Sequence, residues 1–366
     1  MTSKQFQPEW MSPPGATIGD ILEQRNLSRE EFAENTGYSL DRVDRLLSGR
    51  LTITEDVAEV LQKLLGGSAE FWLSREDQYR DDIAHLQSKG DLSAARAWLS
   101  ELPVRDMKKF GWVKIADNDL NSNLAACLQF FGVANVSEWR TKYRGMMSAV
   151  SFRTSLSFES QPGPVLSWLR YGELKAAEVD CEPWNAKTFR SALPKIRKLT
   201  RNRDPNSFLP ILKKICAEGG VGLVIARAPT GCHASGATRF IANNKAMILL
   251  SFRYLSDDQF WFTFFHEAGH LLLHSHKALF IEDGSDVNQD EESQANHFSE
   301  DILVPSEFKQ AVMDVPLTKL AIIKFAVKLG ISRGILVGQL QHMKRLAPNQ
   351  LNWLKKRFNW AQIATD

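Results

Sequence analysis

The stretch FTFFHEAGHLLLHSH, residues 262–276, contains four of the eight histidines in the chain. His266 and His270 are four residues apart, a spacing that places both imidazoles on one face of a helix. Two imidazoles on one face can bind one metal ion, and Glu267 beside them can take a proton from a water that the ion activates. The flanking apolar residues fit a plain core helix as well as a rigid metal site. The segment therefore predicts a buried zinc-binding helix.

Two histidines leave a catalytic zinc ion short of one protein ligand. The downstream segment DEESQANHFSEDILVP offers four side chains that could complete the set: Asp290, Glu291, Glu292 and His297. Helical spacing alone does not choose among these four. His274, one turn further along the first helix, is expected to pack beside the site without binding the metal. His276 is expected to be exposed, and His233, in a glycine-rich loop, is expected to be inert.

The two segments together resemble the ImmA/IrrE family of metallopeptidases, whose pattern joins HExxHxxxH to a downstream ExxANxFAxxLLMP. The resemblance implies that His266, His270 and Glu292 bind Zn²⁺ and that Glu267 is the catalytic base. Further positions match the pattern or depart from it mildly: Asn296, Phe298 and Pro305 match, while Ser299, Ile302 and Val304 replace other small or aliphatic residues. The resemblance extends over residues 206–330 and implies a zincin-like endopeptidase domain.

A strand pattern precedes the histidine segment. VGLVIA reads as a buried strand, and ATRFIANNKAMILLSF reads as two strands joined at ANNK. In zincin folds, an edge strand beside the metal helix pairs with an extended peptide. We expect KAMILLSF to be that edge strand.

The N-terminal segment LSREEFAENTGYSLDRVDRLLSGRLTIT has helix start signals on both sides of a tight turn. Ser28 and Glu31 have the spacing of a capping box, Gly37 lies in the turn, and Ser39 precedes the second helix. This layout is that of a helix-turn-helix, with residues 39–48 as the recognition helix. The segment resembles the Xre/HigA-like class, which implies binding to operator DNA.

The predicted DNA contacts are Ser39, Arg42, Arg45 and Arg50, and Arg25 is a further candidate for a phosphate contact. Asp41 and Asp44 on the same helix weaken phosphate attraction. The alternative interpretation is therefore a helix-turn-helix retained for protein interaction or dimerisation. Because proteins of this class commonly dimerise, a homodimer is possible on either interpretation.

A basic run extends from Lys187 to Lys214, with nine basic residues against one acidic residue, Asp204. Such a run is usually a solvated helix face. The alternative is a surface for nucleic acid or for an acidic partner.

Composition sets the remaining bounds. The chain has 366 residues, with 45 basic and 43 acidic residues and a formal charge of +2, so no global charge forces a nucleic-acid or membrane partner. Four widely spaced cysteines without CxxC spacing predict reduced thiols. The absence of a signal peptide or an apolar run long enough to span a membrane predicts a cytoplasmic protein without a membrane partner.

The expected fold class is mainly α with a small α+β part. The expected domains are a helix-turn-helix domain at 1–85, a helical middle region at 86–205, a zincin-like domain at 206–310 and a helical C-terminal region at 311–366, in which LTKLAIIKFAVKLG and NQLNWLKKRF read as amphipathic helices.

Two functions fit these features. The first is a zinc-dependent endopeptidase that cleaves or controls a regulatory protein, which the resemblance suggests is a repressor, antitoxin or toxin. The second is a DNA-binding regulator whose peptidase-like domain holds a partner without turnover. An intact Glu267 favours the enzyme, because a purely structural metal site needs no base.

Overall fold

The computed structural model describes residues 13–88, 92–114, 119–145, 161–274 and 289–363. The chain forms two compact units, residues 1–142 and 143–366. Helices dominate both units and a small sheet lies in the second, as the sequence predicts. No helix among the described residues is both long enough and apolar enough to cross a membrane.

The first unit is all-helical where it is described. Its helices are α1 Pro14–Gln24, α2 Arg29–Thr36, α3 Leu40–Leu47, α4 Glu55–Leu65, α5 Ala69–Ser88, α6 Leu92–Glu101, α7 Val104–Lys109 and α8 Leu120–Phe131. A ninth helix, α9, covers residues 136–145 and includes the boundary between the two units at 142. Helices α1 to α5 share one core, in which Ile18, Phe32, Val43, Leu61 and Trp72 are almost fully buried.

The second unit surrounds a three-stranded sheet. Its elements are α10 Pro162–Glu178, α11 Ala186–Leu199, α12 Pro205–Glu218, β1 Val221–Ile225, β2 Gly236–Ala242, β3 Lys245–Leu250, α13 Asp257–Leu273, α14 Gln289–Leu303, α15 Lys309–Asp314, α16 Lys319–Leu329 and α17 Arg333–His342. Short 3-10 turns follow at Asn352–Leu354 and Trp360–Gln362.

The strand order is β1-β3-β2, with β3 parallel to β1 and antiparallel to β2. The expectation that KAMILLSF forms the edge strand was therefore wrong. That segment forms β3, whose six residues are apolar apart from Lys245 and almost all buried, because both of its edges and both of its faces are covered. The edge strand next to α13 is β2.

Alternate side chains of a strand point to opposite faces of the sheet. Because β3 is apolar at nearly every position, both faces of the sheet are apolar and both are covered by helices. Ala246, Ile248 and Leu250 pack in the same core as the apolar side of α13. On the other face, α10 comes so close that a Cβ added at Gly172 would lie 2.6 Å from a methyl carbon of Leu249. The sheet thus lies between α13 and α10.

The C-terminal segment differs from the expected helix. NQLNWLKKRF forms only a 3-10 turn and then runs extended beside the start of α13. The Asp257 N–H donates to the Lys356 carbonyl at 3.0 Å, and the Phe358 N–H donates to the Leu255 carbonyl at 2.8 Å. Backbone pairing of this kind competes with helix formation, and here it fixes the first residues of α13.

Candidate metal centre and nucleic-acid interface

Helix α13 carries the histidine motif on a buried framework. Phe260, Trp261, Phe264, Phe265 and Ala268 are 0–4% exposed and pack in the core of the second unit. Helical spacing leaves one side of α13 for His266, Glu267 and His270, which face α14 and β2. Buried apolar residues beside the histidines are expected of a core helix and of a metal-binding helix alike. Here they fix α13 in the core and so hold the histidine side chains in place.

Helices α13 and α14 approach closely because small residues meet at their crossing. A Cβ added at Gly269 would lie 3.3 Å from the Ala295 Cα and 3.1 Å from a ring carbon of Phe298. The buried Ser299 hydroxyl donates to the Phe262 carbonyl at 3.0 Å and joins the two helices. This crossing brings the first turn of α14 beside the histidines.

Three ligand-type side chains converge at this crossing. The distance between the Nε2 atoms of His266 and His270 is 3.1 Å. Glu292 places one carboxylate oxygen 3.4 Å from His266 Nε2 and the other 3.6 Å from His270 Nε2. Tetrahedral zinc with bonds of about 2.0–2.1 Å separates its ligand atoms by about 3.3 Å. The donor set of two imidazoles and one carboxylate therefore fits zinc in both spacing and chemistry.

Hydrogen bonds orient both imidazoles. His266 Nδ1 lies 3.0 Å from Asn296 Oδ1, an acceptor, so Nδ1 carries the proton and the Nε2 lone pair is available to a metal. His270 Nδ1 lies 3.2 Å from His274 Nδ1, and His274 Nε2 lies 3.2 Å from Gln294 Oε1. The amide oxygen requires a proton on His274 Nε2, which leaves His274 Nδ1 to accept from His270. His274 thus lies beside the site as the sequence predicts, outside the cluster of ligand atoms.

The three groups also perturb one another electrostatically. The neighbouring imidazoles of His266 and His270 lower the pKa of the Glu292 carboxyl, although partial burial acts in the opposite direction. Burial opposes protonation of His266, but the hydrogen bond to Glu292 and the charges of Glu267 and Glu292 outweigh it and raise the pKa of His266. The Glu292 carboxyl is therefore ionised at neutral pH, as a metal-binding carboxylate must be.

Glu267 is 7% exposed and lies against the first residue of β2. A Cβ added at Gly236 would be 2.6 Å from Glu267 Oε1 and equally close to the Thr263 methyl carbon. Only glycine leaves room for the carboxylate at this point. The Glu267 carboxylate therefore lies between α13, on the side that carries His266 and His270, and the edge strand.

The other ligand candidates are not in the cluster. Within the described residues, the ligand atoms that lie within 4.8 Å of one another belong to His266, His270 and Glu292. The His297 Nδ1 bonds the Ser293 carbonyl at 2.6 Å, which directs the ring along its own helix. His233 contacts Arg253 in the loop before β2. His276 lies outside the described residues.

Helices α2 and α3 form the expected helix-turn-helix arrangement. The Ser28 hydroxyl accepts from the Glu31 N–H, and the Glu31 carboxylate accepts from the Ser28 N–H, which completes the capping box. Gly37 ends α2 with φ of +71°, a conformation that favours glycine. The Ser39 hydroxyl accepts from the Arg42 N–H at 3.2 Å and begins α3. Both helices therefore begin where the sequence predicts, and the turn between them lies at Gly37 as expected.

The predicted DNA contacts are exposed, but the three arginines among them already contact other side chains of the first unit. Arg42 stacks on the Tyr38 ring at 4.0 Å, and Arg45 lies 4.0 Å from the Asp41 carboxylate. Arg50 donates to the Ser48 hydroxyl at 2.9 Å.

Two further arginines near this face are engaged as well. Asp44 pairs with Arg29 at 3.2 Å. Arg25 donates to the Leu64 and Leu65 carbonyls, each at 2.8 Å, and caps α4. Arg25 therefore has a structural role in the first unit, and the expected phosphate contact at Arg25 stays a prediction.

Comparisons with known proteins agree with both parts of this description. Residues 220–340 match the model of the IrrE N-terminal-like domain, Peptidase_M78. The second unit contains an IrrE-like domain. The chain is also 27% identical over 88 residues to the uncharacterized HTH-type transcriptional regulator YddM of Escherichia coli (strain K12). That alignment covers 24% of this chain and 92% of the regulator. The chain thus combines a metallopeptidase-like domain with a segment similar to a helix-turn-helix regulator.

Sequence reasoning missed three residues that position the IrrE-like site. Gly236 makes room for Glu267, and Gly269 allows α14 to approach. A glycine inside a strand pattern often marks close approach, so Gly236 carried a usable signal. Arg197 donates to the Ile302, Leu303 and Leu329 carbonyls at 2.7, 3.0 and 2.7 Å, and so caps α14 and α16. Nothing in its local sequence distinguishes Arg197 from its basic neighbours.

Proposed function

We propose that this protein is a cytoplasmic zinc-dependent endopeptidase that acts on a regulatory protein and binds DNA through its N-terminal helix-turn-helix. The observation that carries the peptidase part is the convergence of His266, His270 and Glu292 at tetrahedral spacing on the helix that also bears Glu267. We assign metal binding to the first three residues and proton transfer to Glu267.

The residues of the chain divide the chemistry as follows. A bound zinc ion would polarise the scissile carbonyl and lower the pKa of a water molecule. Glu267 takes the proton of the attacking water on its carboxylate and delivers it to the leaving amine. Asn296 and His274 hold the two imidazoles in the tautomers that leave Nε2 unprotonated. The apolar framework of α13 keeps these groups in a fixed arrangement.

We assign substrate binding to the free edge of β2. Within the described part of the chain, β2 pairs only with β3, so its other edge retains backbone donors and acceptors for an extended peptide. Glu267 lies at Gly236, the first residue of this strand. A peptide that adds to β2 would therefore run past the proposed base. This geometry supports a protein substrate with an extended segment.

We place DNA binding on α3, through Ser39, Arg42, Arg45 and Arg50, in a domain of residues 1–85. Similarity to an HTH-type transcriptional regulator supports this assignment. Coupling a DNA-binding domain to a peptidase suits control of a partner such as a repressor, antitoxin or toxin. Two chains on two operator half-sites would make the protein a homodimer.

The test is co-expression of the protein with the products of its genomic neighbours, followed by mass spectrometry of the partner. The proposal expects a new partner terminus with the wild type and an intact partner with Glu267→Gln, while both proteins contain equal zinc. Glu291→Gln, a matched change on the neighbouring helix, should leave cleavage unchanged.

The rival function is a DNA-binding regulator whose IrrE-like domain holds a partner without turnover. The regulator similarity favours it, because the alignment covers 92% of that protein. An intact partner with every variant, together with zinc-dependent capture of that partner and operator binding, would support this function over the peptidase.

A further inference from the structure

The densest run of basic residues without acidic neighbours in this chain lies in a segment that neither the metal site nor the helix-turn-helix uses. Residues 183–203 contain seven of the 45 basic residues and none of the 43 acidic residues, so the rest of the chain has five more acidic than basic residues. Most of this segment is α11. A separation of this kind creates a local field that the net charge of +2 conceals.

The structure sorts these basic residues into two groups. Arg197 turns inward to the carbonyls at the ends of α14 and α16. The others are exposed: Lys187, Arg190, Lys195, Lys198, Arg201 and Arg203. Among the described residues, none of these six forms an ion pair with a carboxylate. Arg190 instead stacks over the Phe298 ring at 5.7 Å.

The three exposed lysines of α11 lie on one side of the helix. Phe189, Leu193 and Ile196 are 0% exposed and bury one side of α11, so the lysines project from the opposite side. Lys187 and Lys198 are separated by eleven residues, or about 16 Å along a helix. One strand of duplex DNA carries a phosphate for about every 3.4 Å of axis, so this face spans about five phosphates.

We infer that a basic surface binds the phosphate backbone of double-stranded DNA without sequence preference. It consists of Lys187, Arg190, Lys195 and Lys198 on α11, with Arg201 and Arg203 just beyond the end of the helix. It is a second DNA contact, on the unit that contains the IrrE-like domain. Flexible lysines and arginines without carboxylate partners lose little when they exchange water and counterions for phosphate. The inference does not depend on peptidase activity.

The test measures binding of the full-length protein to a fluorescent 25-base-pair duplex of arbitrary sequence, by anisotropy across a range of salt concentrations. The test variant replaces Lys187, Lys195 and Lys198 by glutamine, which keeps helix propensity. The control variant makes the same change at three exposed lysines elsewhere on the second unit, Lys319, Lys324 and Lys344. Both variants lose three charges, and both are repeated with Arg42→Ala and Arg50→Ala to remove the helix-turn-helix contribution.

We expect the α11 variant to bind at least about tenfold more weakly and its salt slope to fall by about two to three, since each phosphate contact contributes about 0.9 to that slope. The control should stay within about twofold, because salt screens distant charges. DNA should also protect Lys187, Lys195 and Lys198 of the wild type from amine acetylation. Equal binding by the two variants, or equal acetylation with and without DNA, would overturn the inference.

Discussion

At the scale of single residues, the candidate site depends on side chains that orient others. Asn296 is not one of the three residues whose ligand atoms converge, yet its side-chain amide oxygen fixes the tautomer of His266. Gly236 has no side chain at all, yet its missing Cβ leaves space for Glu267. The resemblance to the ImmA/IrrE pattern identified Asn296 only as a matching position. The hydrogen bond to His266 gives the physical reason for an asparagine there.

We expect Asn296→Ala to weaken zinc binding by about 10-fold to 100-fold, because His266 loses the partner that holds its ring and proton. Competition with a chromogenic chelator measures the affinity. His297→Ala is the control on the same helix, since its ring bonds the Ser293 carbonyl. Unchanged affinity in Asn296→Ala would show that the hydrogen bond does not orient the ligand.

We expect Gly236→Ala to abolish partner cleavage and retain zinc, because the new methyl group would lie 2.6 Å from Glu267 Oε1 and displace the carboxylate. Zinc analysis and the co-expression assay measure the two properties separately. Ala237→Gly, at the next position of the strand, is the control. Full cleavage by Gly236→Ala would contradict the placement of Glu267 against β2.

At the scale of elements, the sequence predicted individual helices and strands better than their arrangement. The capping box at Ser28 and the helix start at Ser39 depend on local hydrogen bonds, so they could be read from spacing. The order of the three strands depends on pairing between distant parts of the chain, so it could not be read from local sequence. KAMILLSF was expected to be an edge strand, but its almost continuous apolar sequence is typical of a central, buried strand. The inward turn of Arg197 depends on carbonyls more than 100 residues away.

We expect Arg197→Met to destabilise the folded protein by about 2–4 kcal/mol, because several partly buried carbonyls lose their donor. Guanidinium denaturation followed by tryptophan fluorescence gives the free energy of unfolding. The neighbouring change Lys198→Met should cost less than about 0.5 kcal/mol, since surface substitutions usually have small effects. Equal values for the two variants would rule out a capping role for Arg197.

On the recognition helix, we expect Asp41→Asn to strengthen DNA binding by about threefold and steepen its salt dependence, because it removes a negative charge and releases Arg45. Anisotropy titrations with a labelled duplex measure both quantities. Glu59→Gln on α4 removes the same charge away from α3 and should change neither. A loss of affinity in Asp41→Asn would instead indicate that the aspartate contacts a base.

At the scale of the whole molecule, two compact units carry two different chemistries. The first presents a helix-turn-helix, and the second holds the converging side chains of an IrrE-like domain. The proposed metal ligands lie in two segments 22 residues apart in sequence, from His270 to Glu292. Spacing along the chain left the third ligand open, because only the packing of α14 against α13 brings Glu292 to the histidines.

The most direct test of the account is an anomalous difference map from crystals of the Glu267→Gln variant, recorded on both sides of the zinc absorption edge. We expect one zinc peak about 2.0–2.2 Å from His266 Nε2, His270 Nε2 and a carboxylate oxygen of Glu292. Zinc bound elsewhere, or a peak whose ligands do not include Glu292, would contradict the proposed metal centre.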